Sequence, residues 1–246
     1  MLRRLELPAQ AMTMRMTQMS VVANNLANLN TTGYKRDETF VESLKKEIAA
    51  READQTSNSV PTVKLAIDFS DGSLTETKRP LDLALSGSGL FVVETPQGEA
   101  YTRNGRFTLN AEYILTTLDG FPVLGEGGPI EINIEQYQPN EILVNSMGEV
   151  LLDGNLIDRL RIVAPEDPGM LQKRGANLFE LTEEGVVQPV EKPQVRQGFL
   201  EDSNVEAVRE MMTMLEILHS FEMDQKMVRT MDEMLGQARE IGEYRS

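Results

Sequence analysis

The sequence predicts an α+β fold, in which long N-terminal and C-terminal helices form one discontinuous domain around an inserted, mainly antiparallel β domain. Two observations predict it. Apolar residues recur at helical spacings near both ends of the 246-residue chain, and short apolar runs bounded by turn residues fill its middle. We therefore expect four segments: residues 1–36 (helix and Asn-rich turn), 37–78 (linker), 79–197 (β-rich domain) and 198–246 (a C-terminal helix packing with 1–36).

The N-terminal helix is predicted by an apolar heptad, the pattern of a coiled-coil seam. Pro8 does not fit a helix interior, so the regular helix is expected to begin at or just after it. The cluster from Asn28 to Thr32, closed by Gly33, predicts a helix end and a turn. The heptad consists of Leu2, Leu5, Ala9, Met12, Met16, Met19, Ala23 and Leu26.

The next two stretches are predicted to differ from each other. Residues 36–48 are expected to form a further helical piece, because Phe40, Leu44 and Ile48 recur at spacings of four. Residues 49–63 are polar and lack a sustained period, which indicates a surface loop or linker.

Residues 65–198 predict an antiparallel β domain. Turn pairs such as Asn104-Gly105 and Asp119-Gly120 separate runs of strand length. No helical period longer than two turns survives here, which argues against a doubly wound nucleotide-binding sheet. The predicted strands are Leu90 to Val93, Arg106 to Leu109, Tyr113 to Thr117, Ile130 to Ile134, Ile142 to Val144, Val150 to Leu152, Leu160 to Val163 and Leu178 to Leu181.

A long helix is predicted from Ser203 onward. Ser203 is a candidate N-cap with Glu206 at the capping-box spacing. One apolar frame runs along the helix and a second stripe widens its apolar face over the first turns, so the helix should need two partners near its start. The first frame holds Ala207, Met214, Ile217, Phe221, Val228, Met231 and Leu235, and the second stripe holds Val208, Met211, Leu215 and Leu218.

The two terminal helices are expected to meet. Spacing alone leaves two alternatives open, a coiled coil within one monomer and a contact between copies, and the intramolecular pair is the ordinary use of such a stripe. Methionines are concentrated in both helices. Their flexible side chains suit either a soft core or a surface that meets several neighbours.

Composition excludes several classes of function. A net charge of −15 argues against a nucleic-acid partner, which requires a basic face. The charge is uneven, because residues 1–36 carry five basic residues and one acidic residue, so a basic end could attract an acidic body in another copy. There is no cysteine, and therefore no disulfide or thiol chemistry. Without a membrane span or a secretory signal, composition alone favours a soluble cytoplasmic protein.

No catalytic, cofactor-binding or metal site is predicted. His219 is the only histidine, and the sequence contains neither a Ser-His-Asp arrangement around it nor an HExxH motif. The glycines at 87 and 89 lack the third glycine of a dinucleotide fingerprint. Paired carboxylates leave a secreted acidic β-domain hydrolase as the rival class, although the absence of tryptophan counts against carbohydrate substrates.

Three blocks of sequence resemble the flagellar axial proteins, which include rod, hook and hook-associated subunits. The first is ANNLANLNTTGYK at 23–35, the second begins at Gly198, and the third comprises middle motifs at 79–85, 101–105 and 125–130 that are most similar to the proximal rod branch, ahead of the distal rod and hook branches. The motif residues expected to serve assembly are Asn24, Asn25, Leu26, Asn28, Asn30, Thr31, Gly33, Tyr34, Lys35, Ser203, Asn204, Val205, Met211, Met214, Leu215, Phe221 and Glu222.

This resemblance implies a non-enzymatic structural subunit of the basal-body rod, without a cofactor, that transmits motor torque in the periplasm. Its implied partners are itself, other rod proteins and the flagellar type III apparatus that exports it without a cleaved signal, with no nucleic acid and no membrane insertion. The terminal helices would then fold on assembly, so the resemblance favours the contact between copies. The chain departs from the family pattern at Pro8, Ala11, His219 and Ser220.

Overall fold

The computed structural model describes residues 3–41, 63–132, 142–182 and 185–243. These residues form two compact units. The helical unit contains residues 3–27, 37–41, 63–66 and 206–243, and the β unit contains residues 28–36 and 67–205 with the gaps just given. The α+β class is confirmed, because a helix lies near each end and a mainly antiparallel β region lies between them.

Two long helices dominate the helical unit. Helix α1 spans Arg3–Ala27 and helix α2 spans Ala207–Glu243, and the two pack on each other. The prediction that the regular helix begins at Pro8 was wrong, because α1 begins five residues earlier. Pro8 removes only one main-chain hydrogen bond in the first turns and does not end the helix. Neither described helix is long and apolar enough to span a membrane.

Helix α2 begins at a different residue from the predicted cap. The amide of Glu210 donates to the carbonyl of Glu206 at 3.0 Å, so the helical hydrogen bonds begin at Glu206. The hydroxyl of Ser203 instead accepts from the amide of Val205 at 3.3 Å, which stabilises a non-helical turn before the helix. The long C-terminal helix is confirmed, and its capping box at Ser203 was wrong.

The predicted heptad of α1 differs from the face that the helix buries. Within residues 10–27 the most buried side chains are Asn25 (1% exposed) and Val22 (6%), which lie outside the heptad, whereas Met16 of the heptad is 61% exposed. On α2, Ile217 and Glu210 are buried. The coiled-coil character expected of the two helices is therefore not confirmed, although they do pack together.

A strand occupies the first part of the segment predicted to continue as a helix. Strand β1 (Arg36–Val41) pairs with strand β2 (Val63–Asp68), so the helical prediction was wrong for residues 36–41. Thr39, Phe40 and Val41 belong to residue types that favour strands, and local spacing cannot reveal the distant partner strand. Residues 42–48, and the predicted linker at 49–63 apart from Val63, lie outside the described residues.

The β unit is built from short strands whose pairings are all antiparallel, as predicted. The strands are β3 (Leu74–Glu76), β4 (Leu83–Leu85), β5 (Leu90–Thr95), β6 (Gly98–Thr102), β7 (Phe107–Leu109), β8 (Leu115–Thr117), β9 (Leu124–Gly125), β10 (Gly128–Pro129), β11 (Ile142–Val144), β12 (Glu149–Leu152), β13 (Asn155–Arg159), β14 (Ile162–Pro165), β15 (Leu171–Gly175), β16 (Leu178–Leu181), β17 (Val187–Pro189), β18 (Val195–Gln197) and β19 (Phe199–Glu201).

These strands form one large sheet and several small ones. The order in the six-stranded sheet is β15-β16-β6-β5-β14-β17, and the order in the three-stranded sheet is β11-β12-β13. Two-stranded ladders pair β3 with β19, β4 with β18, β7 with β8 and β9 with β10. The predicted strand at 130–134 is absent from the described residues 130–132, where Glu131 makes only an isolated bridge to Ile114.

The core of the β unit lies on both faces of strand β5. Alternate residues of a strand point to opposite faces. Phe91 and Val93 therefore enter one apolar cluster, in which the rings of Phe91 and Phe107 meet edge to face at 5.1 Å. Leu90 and Val92 enter the other. The β unit thus holds an apolar core of its own.

Candidate assembly site

The Asn-rich motif at residues 23–35 begins in α1 and continues into the β unit. Asn24, Asn25 and Leu26 lie in α1, whereas residues 28–36 belong to the β unit. The predicted helix end and turn are confirmed: the amide of Thr31 donates to the carbonyl of Asn28 at 3.1 Å, and the Thr31 hydroxyl donates to the Asn28 side-chain oxygen at 3.2 Å.

Gly33 allows residues 28–36 to approach the backbone of Asn104 closely. Its φ is +68°, in the left-handed region where a side chain is strained, and a Cβ there would lie 2.4 Å from the amide nitrogen of Asn104. Its own amide donates to the main-chain oxygen of Glu201 at 2.8 Å. Glycine is therefore required both by the backbone conformation and by the space available.

The ammonium group of Lys35 is buried in the β unit. The side chain is 1% exposed, and Nζ donates to Glu201 Oε1 at 2.6 Å and to the main-chain oxygen of Ser70 at 2.6 Å. Burial lowers the pKa of Lys35, while the hydrogen bond and the negative charge of Glu201 act in the opposite direction. A buried cation is costly without such a partner, so Lys35 and Glu201 depend on each other.

Glu201 joins Lys35 to a second buried cation, Arg103. The Nε of Arg103 donates to Glu201 Oε2, and the amide of Gly72 donates to Oε1 at 2.9 Å. Both carboxylate oxygens are therefore bonded, and the side chain is 1% exposed. One carboxylate faces two cations here, so the balance of charge requires a further acid.

Asp71 supplies that acid at the other end of Arg103. Arg103 Nη2 donates to Asp71 Oδ1 at 3.0 Å and to the main-chain oxygen of Leu85 at 3.1 Å, and Nη1 donates to the main-chain oxygen of Gly89 at 2.5 Å. Two cations and two carboxylates thus form one network. We call these four residues, Lys35, Glu201, Arg103 and Asp71, the polar lock.

Contacts on either side of the polar lock fix the same segment. The side-chain oxygen of Asn204 accepts from the amide of Arg36 at 2.8 Å, and its Nδ2 donates to the main-chain oxygen of Asp68 at 2.8 Å. The Nζ of Lys173 lies 3.9 Å from the ring centroid of Tyr34 and donates to the main-chain oxygen of Lys35 at 2.5 Å. Polar groups therefore hold the whole of residues 33–36.

A smaller polar cluster joins the helices of the helical unit. Asn25 Oδ1 accepts from the amide of Asp37 at 2.9 Å, and Nδ2 donates to the Asp37 carbonyl at 2.9 Å and to Glu210 Oε2 at 3.4 Å. Asn25 and Glu210 are each 1% exposed. This amide therefore links α1, α2 and the start of β1.

The second apolar stripe of α2 has a different environment from the first frame. Ile217 of the first frame is buried, and Met214 and Phe221 are half-buried. We call the second stripe the outer stripe, and its exposed fractions are Val208 70%, Met211 48%, Leu215 56% and Leu218 38%. Glu222, one turn beyond Leu218, is also exposed. The outer stripe thus exposes large apolar side chains to solvent.

Part of the predicted residue set is gathered by the structure, and part is dispersed. Gly33 and Lys35 bond to Glu201, Tyr34 lies against Lys173 and Asn204 bonds to Arg36, whereas Asn30 is exposed. Asn24 is exposed on α1, Leu26, Asn28, Thr31 and Ser203 are half-buried, and Val205 is buried. The residues missed were Asp71, Arg103, Glu201 and Glu210, and the last three lie within the motif blocks given above. In the sequence, nothing but their charge marks these residues. No local rule distinguishes them from ordinary charged residues on the surface.

The described residues contain no group of three or more acidic, histidine or cysteine side chains that could hold a metal ion. An open cleft of 780 Å³ in the β unit is lined by several acids. Two of them face arginines: Glu99 lies 2.7 Å from Arg161, and Glu126 lies 3.6 Å from Arg159. These carboxylates take part in ion pairs on the surface.

Three family models match separate parts of the chain. One described as "Flagella basal body rod protein" matches residues 8–35, "Flagellar hook protein FlgE/F/G D1 domain" matches 84–152, and "Flagellar basal body rod FlgEFG protein C-terminal" matches 196–241. The first match ends at Lys35 and the last includes Glu201, so these two matches contain the two partners of the buried ion pair.

Curated relatives extend the similarity along nearly the whole chain. The flagellar basal-body rod protein FlgF of Caulobacter vibrioides is 38% identical over 89% of this chain and 89% of its own length. The chain belongs to the flagellar basal-body rod family. FlgG of Agrobacterium fabrum is 32% identical over 95% of this chain and 97% of its own length, and FlgF of Salmonella typhimurium is 32% identical over 94% of each.

Membership of the rod family confirms the prediction of a structural rod subunit in the flagellar basal body, which assembles with other axial proteins. The hydrolase alternative receives no support from these relatives. This rod protein therefore combines a buried ion network, the polar lock, with an exposed apolar surface on α2, the outer stripe.

Proposed function

We propose that the chain is a subunit of the proximal rod, which polymerises through α1 and α2 and transmits motor torque along the flagellar axis. The outer stripe of α2 is the observation that supports this most directly. Four large apolar side chains lie exposed along about three turns of helix, and contiguous exposed apolar patches mark protein interaction sites. The sequence pattern of two stripes likewise requires a second partner for this helix.

The two polar clusters have separate roles in this proposal. The polar lock holds residues 33–36 and the C-terminal strand β19 together on the β unit, because Glu201 lies at the end of that strand. Asn25 holds α1 and α2 together in the helical unit. Lys35, Arg103 and Glu201 of the polar lock, like Asn25, are buried and hydrogen-bonded. Such polar groups specify one arrangement of the chain, which suits a part that must transmit force without yielding.

The motifs at residues 79–85, 101–105 and 125–130 support the proximal position, because they are most similar to the proximal rod branch. The distal rod or the hook is the alternative, since relatives of both FlgF and FlgG type are similar. Export through the flagellar type III apparatus without a cleaved signal, and helices that complete their folding on assembly, belong to the same proposal.

Restoring motility to a strain that lacks its proximal rod protein, but not to one that lacks its distal rod protein, would support the proximal position. The reverse result would support the distal one.

A charged outer stripe tests the assembly role. The double variant Leu215→Glu, Leu218→Glu should keep a folded β unit, measured by urea denaturation, and should abolish swimming and incorporation into purified basal bodies. Leu118→Glu is the matched control, because Leu118 is 61% exposed in the β unit and should tolerate the charge. Normal swimming by the double variant would overturn the proposed function.

A further inference from the structure

Helix α2 carries a run of exposed side chains that are soft metal donors. His219 is followed at intervals of four residues by Met223 and then Met227. Met223 is 68% exposed, Met227 is 50% exposed, and His219 is exposed as well. Among the described methionines and the single histidine, exposed side chains lie one helical turn apart only at these three positions. We call these three residues the soft-donor ladder.

The soft-donor ladder lies on a different face of α2 from the buried side chains. An α-helix turns by about 100° per residue, which places Met223 about 120° around the axis from the buried Ile217. Residues four apart lie on one face, with about 6 Å between their Cβ atoms. A methionine side chain in a helix also leans back over the preceding turn. Successive donors of the ladder can therefore reach one ion on the solvent side of the helix.

The types of donor in the ladder select a soft cation. Thioether sulfur favours Cu(I), and imidazole nitrogen binds copper as well as zinc. Zinc, calcium and magnesium ions require several imidazole, thiolate or oxygen ligands. The described residues hold no group of three or more acidic, histidine or cysteine side chains that could supply them. The ladder therefore suits Cu(I) better than the common divalent ions.

The charge around the ladder also favours a cation. Residues 216–234 contain five acidic and two basic residues. Glu222 and Asp224 flank Met223 directly, while Lys226 offsets one of these two charges. The net negative charge attracts cations to this part of α2.

We propose that the soft-donor ladder is a Cu(I) site. Met223 is its central ligand, because it lies one turn from His219 and one turn from Met227 and so belongs to both pairs of donors. An ion held by these side chains ties successive turns of α2 together. The unfolded chain does not hold the donors at this spacing, so the bound ion also stabilises the helix. The ladder lies within one helix of one chain, so its occupancy does not require assembly.

Competition for Cu(I) tests the site in the full-length chain. Purified protein, titrated without oxygen against a chromophoric Cu(I) chelator, should withdraw one Cu(I) per chain. Met223→Leu conserves the side-chain volume at an exposed position and should weaken binding by about tenfold or more. Met212→Leu is the matched control, because Met212 is 59% exposed on the same helix and has no methionine or histidine three or four residues away. No competition, or equal affinity of Met223→Leu and the unchanged chain, would overturn the proposal.

Substitution of the two flanking donors tests the arrangement. His219→Gln and Met227→Leu should each weaken Cu(I) binding by less than Met223→Leu, because each leaves one pair of donors intact. A larger loss from either substitution than from Met223→Leu would overturn the central position of Met223.

Ag(I) locates the bound ion, because it is a soft cation without the redox chemistry of copper. On adding Ag(I), the NMR signals of the Met223 and Met227 methyl groups and of the His219 imidazole should shift. Hydrogen exchange over residues 219–227 should slow, and the methyl signal of Met212 should not move. An equal shift at Met212, or unchanged exchange over residues 219–227, would place the ion elsewhere and overturn the proposal.

Discussion

The β unit and the helical unit differ in how completely they bury their own residues. The β unit encloses an apolar core on both faces of β5 and an ion network whose central members are at most 3% exposed. Within residues 10–27 of α1 and 207–234 of α2, only Val22, Asn25, Glu210 and Ile217 are buried, while eight large apolar side chains of α2 are exposed. The β unit encloses its own core, whereas the helical unit leaves apolar side chains that the proposed assembly would cover. Substitutions in the first should therefore change folding, and substitutions in the second should change assembly.

Glu201→Gln should have the largest effect. It removes the charge that compensates Lys35 and Arg103, and breaking a buried ion pair in this way costs about 3–5 kcal/mol. The free energy of unfolding, measured with urea on the β-unit transition, should fall by that amount. The exposed Glu206→Gln should change it by less than about 0.5 kcal/mol. Equal stability of the two variants would show that the polar lock contributes nothing to the fold.

Gly33→Ala should follow, at about 3 kcal/mol, because it combines a left-handed φ with a Cβ that meets the Asn104 backbone. Gly87→Ala separates these causes. Gly87 has a φ of +82° and nothing within 4 Å of its Cβ position, so only the conformational cost of about 1 kcal/mol applies. If thermal melting shows equal losses for both variants, the close approach of Gly33 to the Asn104 backbone does not affect stability.

Asn25→Ala should cost about 1–3 kcal/mol, because it leaves the main-chain groups of Asp37 and the buried Glu210 without this partner. Hydrogen exchange should show faster exchange in α1 and α2 and no change in the β unit. Ser20→Ala, at an exposed position of the same helix, is the control. Faster exchange throughout the β unit would mean that the two units do not unfold separately.

Leu215→Ala should have the smallest effect on folding and a large one on assembly. Leu215 is 56% exposed, so its loss should change the free energy of unfolding by less than about 0.5 kcal/mol. Leu83→Ala makes the same chemical change at a residue that is 1% exposed and should cost about 2–5 kcal/mol. Incorporation into basal bodies should fall for Leu215→Ala, although the isolated chain stays folded. A large loss of monomer stability would place Leu215 in an internal contact instead.

Local patterns predicted the class, the two terminal helices and most strands, because these depend on residues a few positions apart. They failed where a distant partner decides the outcome. Phe40 has the spacing of a helix, yet β2 pairs with its segment as a strand. The heptad of α1 shows that the helix is amphipathic, whereas the packing of α2 determines that Val22 and Asn25 are the buried residues.

The sequence predicted some residues of the candidate site and missed their partners. The family resemblance drew attention to Lys35 and to Asn204, and the structure shows that both lie beside the Glu201 strand. Nothing in the neighbourhood of Lys35 in the sequence indicates that it is buried. Its carboxylate partner is 166 residues away, beyond the reach of any rule based on helical or strand period.

That separation also governs when the protein can fold during its synthesis. A nascent chain has made Lys35 and Arg103 long before Glu201 leaves the ribosome, so both cations must stay hydrated until then. A product that stops before residue 201 lacks the carboxylate altogether and cannot enclose either cation at low cost. Incomplete chains should therefore stay open to proteases, and only chains that reach this strand can become stable building blocks.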